Sequence, residues 1–86
     1  MKLTTSTGKT YDVYWIDGPT VTSGAVVLQM DDSRKLSEIA TEFEGVESLK
    51  RESETQGNKE WNGYTMLQRI SRLDNGRVLI SLCKEG

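Results

Sequence analysis

The chain has 86 residues, with 13 acidic and 11 basic side chains for a net charge of −2, no histidine and a single cysteine. This is length for one domain, residues 1–86, whose 35% apolar content lies near the lower end for building a core. Without histidine, and with Cys83 alone, zinc sites, histidine-based triads and internal disulfides are excluded.

Taken in chain order, Lys2 to Thr5 and Lys9 to Ile16 are rich in threonine, tyrosine and valine, and Thr7-Gly8 between them predicts an N-terminal hairpin. In its second arm Tyr11, Val13 and Trp15 alternate with Asp12, Tyr14 and Ile16, which predicts one apolar aromatic face and one mixed face. Asp17-Gly18-Pro19 ends that strand, since proline donates no ladder hydrogen bond and glycine tolerates positive φ. Ser23-Gly24 marks a further turn, and Ala25 to Met30 reads as a third strand with Val26, Leu28 and Met30 on one face.

One amphipathic helix follows. Leu36, Ile39, Ala40 and Phe43 recur at i, i+3, i+4 and i+7, with Asp32 or Ser33 placed to cap the start and Gly45 to end it. Capping contributes about 1 kcal/mol, whereas burying three large side chains contributes about 1.5 to 3 kcal/mol each, so packing decides that this segment of about ten residues is helical. Val46 to Ser53 has the weaker alternation of a fourth strand, and Glu54 to Lys59 reads as a polar loop.

Tyr64 to Leu73 and Arg77 to Lys84 form a hairpin across Asp74-Asn75-Gly76. A three-residue loop with Gly76 left-handed sets Leu73 opposite Arg77, Ile70 opposite Ile80, Leu67 opposite Cys83 and Met66 opposite Lys84. A two-residue loop would set Ile70 against Ser81, so the longer loop matches apolar pairs better. The plan is α+β: a mostly antiparallel sheet of five to six strands in β-β-β-α-β-β-β order with one short helix on one face, the alternative being a small partly closed barrel.

Thr7-Gly8-Lys9-Thr10 has the letters of a phosphate-binding loop, but Leu3 stands where that motif needs its first glycine, so a hairpin turn is expected instead. Between Asp31 and Glu60 nine carboxylates face five cations. Glu38, Glu42, Glu44 and Glu47 make this a candidate acidic surface, with Glu38 and Glu42 one turn apart opposite the apolar stripe. Nothing in it has the ligand spacing of a calcium loop. The C-terminal arginines Arg69, Arg72 and Arg77 are too few, and too divided between sheet faces, to predict nucleic-acid binding.

With one phenylalanine in the chain, the core must draw on the larger rings, and Trp15 and Tyr64 are expected to be largely buried. Trp61, beside the polar loop, is the candidate exposed anchor for a partner, with Tyr64 and Tyr14 the other candidate rings. Cys83 is expected as a small core residue, and a lone cysteine suits a reducing compartment. Met1 and Leu3 are the only apolar residues among the first ten, and the longest aliphatic run, Ala25 to Leu28, is far short of the roughly 20 residues of a membrane span, so neither a signal peptide nor a transmembrane helix is expected.

Met1-Lys2-Leu3-Thr4-Thr5-Ser6-Thr7-Gly8-Lys9-Thr10-Tyr11-Asp12-Val13, with Leu36-Ser37-Glu38-Ile39-Ala40 and Gly63-Tyr64-Thr65-Met66-Leu67, resembles small uncharacterised proteins encoded in prophages of Gram-positive (Firmicute) gut bacteria. The resemblance implies a genomic setting, and hence the bacterial cytoplasm or a phage particle, and brings no functional residues with it. Because no catalytic constellation is present, the sequence predicts a non-enzymatic protein-binding or assembly module without cofactor, metal or small-molecule substrate. Its partner would be itself, a phage protein or a host protein. The alternative is an acidic inhibitor of a host nucleic-acid-binding or defence protein.

Overall fold

A computed structural model describes residues 1–19 and 24–84. Its elements are β1 (Lys2–Thr5), β2 (Thr10–Asp17), β3 (Ala25–Asp31), α1 (Leu36–Glu42), β4 (Ser48–Glu52), β5 (Lys59–Asn62), β6 (Met66–Arg72) and β7 (Arg77–Cys83). The strands form one antiparallel sheet in the order β5-β4-β1-β2-β3-β7-β6. The fold is the expected α+β sheet with one short helix, but it has seven strands, not five to six. The additional strand is β5, which the sequence hides because only Trp61 of its four residues is buried.

Chain connectivity dictates the shape of this sheet. The edge strands β5 and β6 are consecutive and joined by residues 63–65. Laid flat, six interstrand steps of about 4.8 Å would hold the edges about 29 Å apart, whereas the four Cα steps from Asn62 to Met66 reach at most about 14 Å. The sheet therefore curls, giving extents of 33 × 29 × 26 Å. It remains unclosed, since β5 and β6 share no ladder.

Two bulges set which side chains face the inside. β1 pairs with Thr10, Tyr11 and Asp12 of β2, and β3 pairs with the remainder, with a register shift between Val13 and Trp15. Tyr11 and Val13 are buried, but beyond the shift Ile16 turns inward and Trp15 outward. The expected Tyr11-Val13-Trp15 face is thus broken, and Trp15 is half-buried rather than a core ring. The physical reason is that β2 changes partner at this point, and an extra residue supplies the added bend and twist. In the β6–β7 hairpin the Leu73 amide donates to Arg77 O at 2.8 Å, Gly76 has φ +85°, and Ile70 faces Ile80, as the longer loop requires. A second shift at Gln68 then moves Leu67 opposite Leu82 and Met66 opposite Cys83, one residue from the expected pairs.

The core lies inside the curl. Leu3, Val26, Leu28, Met30, Leu49, Val78, Ile80 and Leu82 come from the sheet, and Ile39 and Phe43 from the helical segment that plugs it, with Val46 just beyond its end. The rings of Phe43 and Tyr11 stack with centroids 5.4 Å apart, and α1 packs against β6. The helix is shorter than expected, and its N-cap is Lys35 with no side-chain bond. Asp32 is diverted instead to the Arg34 amide and guanidinium. Gly45 ends the segment with φ +75°, as expected.

At the far end of β2, Gly18 has φ +131°, and a Cβ there would meet Ala25 O at 2.3 Å, so only glycine fits. Its carbonyl accepts from Trp61 Nε1 at 2.9 Å. The turn expected at Ser23-Gly24 begins outside the described residues.

Candidate functional site

The rings expected to anchor a partner separate on folding. Trp61 is 3% exposed, so its expected role as an exposed anchor is corrected. It lies on the inner side of β5, bonded to Gly18 O, with the Arg51 guanidinium and Lys59 ammonium 5.4 and 5.3 Å from its ring centre. Of the polar neighbours that suggested exposure, Glu60 and Asn62 point to the other face, and Lys59 shares the face of the tryptophan at the exposed end of the strand, its ammonium over the ring. Tyr64 is 9% exposed, buried as expected, with Lys84 Nζ 5.4 Å from its ring centre. Tyr14 is 46% exposed and remains available.

Tyr14 is also held in place. Its hydroxyl donates to Asp31 Oδ2 at 2.5 Å, and the Arg77 guanidinium sits 3.4 Å from its ring centre. Asp31 and Arg77 are themselves opposite each other on β3 and β7. A ring fixed by a hydrogen bond at its tip and a cation on its face loses little further entropy when a partner covers it.

From Tyr14 the outward face of the β2-β3-β7-β6 sheet runs in cross-strand rows. Trp15, Gln29, Leu79 and Ser71 form one, Asp17, Val27, Ser81 and Arg69 the next, and Ala25, Cys83 and Met66 the third. Trp15, Val27, Leu79 and Cys83 are half-buried, and Met66 is 47% exposed. Cys83 is therefore an outward residue, not the expected core one, because its neighbour Leu82 takes the inward position. The helix lies on the opposite side; within these rows Ala25 and Ser81 are buried, the Ser81 hydroxyl donating to Gln68 Oε1, while the other members are at least partly open to solvent. Asp17, Asp31 and Arg69 sit at the margins of this face and the Arg77 guanidinium lies on the Tyr14 ring, so the rows between them are apolar and uncharged, the arrangement of a protein-docking patch. Trp15, Val27, Leu79 and Met66 were missed in the sequence. The signal available was the break in alternation at Tyr14-Trp15-Ile16, which marks a bulge and turns the tryptophan outward.

The acidic candidates do not stand as equivalent groups. Glu38, Glu44 and Glu47 are exposed, while Glu42 accepts from Tyr11 OH at 3.0 Å and from both terminal nitrogens of Arg34 at 2.9 Å. It is thus drawn into a network instead of lying free in solvent. Arg34 also grips Asp32 at 2.7 Å. Hydrogen bonds from Arg34 hold the Asp32 and Glu42 carboxyls below their usual range, and burial, reinforced by Glu42, raises the Tyr11 phenol. Lys9, Asp12 and Asp31 complete a polar cleft of about 300 Å³ around these groups. The shifts stabilise the pairing already present and move all three groups away from neutrality. Thr7, Gly8 and Lys9 lie in the β1–β2 turn, with the Gly8 amide donating to Thr5 O, and Thr10 opens β2 opposite Thr4.

No protein-family model, no curated protein and no solved structure matches the chain. Among the described residues no helix is long and apolar enough to cross a membrane, and no three His, Cys, Asp or Glu side chains group as metal ligands.

Proposed function

We propose that the chain is a protein-binding or assembly module that docks a protein surface on the outward face of its β2-β3-β7-β6 sheet. The observation that carries this reading is the outward patch of Tyr14, Trp15, Val27, Leu79 and Met66, each exposed at least in part, with Arg77 on the Tyr14 ring and the other charges at its margin. Tyr14 is its preorganised anchor, and binding here needs no movement of the core. In the prophage setting that the sequence resemblance implies, such a module would be an accessory or virion-assembly protein. An acidic inhibitor draws less support, since Arg34 engages Asp32 and Glu42, and Lys50 and Lys59 face Glu60 and Arg51 across β4 and β5.

The test is site-specific photo-crosslinking in an extract of the source cells, with a benzophenone amino acid replacing Tyr14, Leu79 or, as control, Glu44 beyond the helix. The expected result is a discrete protein adduct from positions 14 and 79 that Met66→Lys diminishes. Equal labelling from position 44, or no adduct from the sheet face, would overturn the reading.

A further inference from the structure

We draw no further inference here: the strongest candidate, the edge strand β6 with Met66 and Leu67 exposed at the rim of the outward sheet face, is an apolar surface continuous with the docking site already described, and nothing in the structure shows what covers it.

Discussion

At the scale of single residues, the two tryptophans exchange the environments that their neighbours in sequence suggest. Trp61 stands among Lys59, Glu60 and Asn62, yet it is the most enclosed ring of the three aromatic anchors considered, because a short strand can bury one residue and expose the rest. Its indole N–H bonds to the carbonyl of Gly18, which itself fits there only for want of a Cβ. Trp61→Phe therefore leaves that carbonyl unpaired and a gap beside it, and should cost about 1 to 3 kcal/mol in urea unfolding. Trp15→Phe, on the half-exposed outer face, should cost less than about 1 kcal/mol. Fluorescence separates them independently: the blue-shifted emission protected from iodide belongs to Trp61 and disappears in Trp61→Phe. Its loss in Trp15→Phe instead would invert the assignment. Arg51 shows the same limit of local reading. Among the described residues it is buried without a carboxylate partner, its guanidinium donating to Ile16 O at 3.1 Å and Gln56 O at 3.2 Å, so backbone dipoles that no spacing rule reveals meet its charge.

At the scale of elements, periodicity made the hairpins, the third strand and the helix readable, because each buries a repeating set of large side chains. Alternation fails at Tyr14 and Gln68, where one extra residue flips every later side chain to the other face. Both failures bear on the candidate site: the first delivers Trp15 to the outer face and the second sets Met66 there in place of Leu67. Tyr14 alone was legible as a candidate that remains exposed, since the rest of the patch depends on cross-strand register that one strand cannot encode. The second bulge is directly testable with Cys83. Antiparallel partners have Cα atoms about 4.5 to 5.5 Å apart, within disulfide reach. Met66→Cys should form an intramolecular disulfide with Cys83 under mild oxidation, and Leu67→Cys should not, since it faces Leu82. The opposite outcome would restore the unbroken register expected from the turn alone.

At the scale of the whole molecule, a sheet curled by the short link between its edges needs something to fill and hold it, and α1 does both. Ile39 and Phe43 fill the interior, while polar contacts fasten the helix from outside. Glu42 receives Tyr11 OH from β2, Arg34 ties Glu42 to Asp32 beyond β3, and Arg72 from β6 donates to the carbonyls of Asp32 and Arg34. Three strands and the helix thus converge on one carboxylate–guanidinium cluster. Its pH dependence follows from the directions of the shifts. Asp32 and Glu42 have depressed values in the fold, chiefly through hydrogen bonds to Arg34, so their contribution is present above the unfolded carboxylate range of about 4 and lost as pH falls through the folded values. Tyr11 is raised, chiefly by burial and next by Glu42, so its contribution is present below about 10 and lost as pH rises through its folded value. Urea midpoints for the wild type should therefore decline from pH 5 to pH 3. Arg34→Gln should lower the midpoint at pH 7 but flatten the acid decline, because its carboxyls no longer differ as much between folded and unfolded chains. Parallel acid profiles for the two proteins would show that other carboxylates govern acid stability and that the helix is held by its apolar face alone.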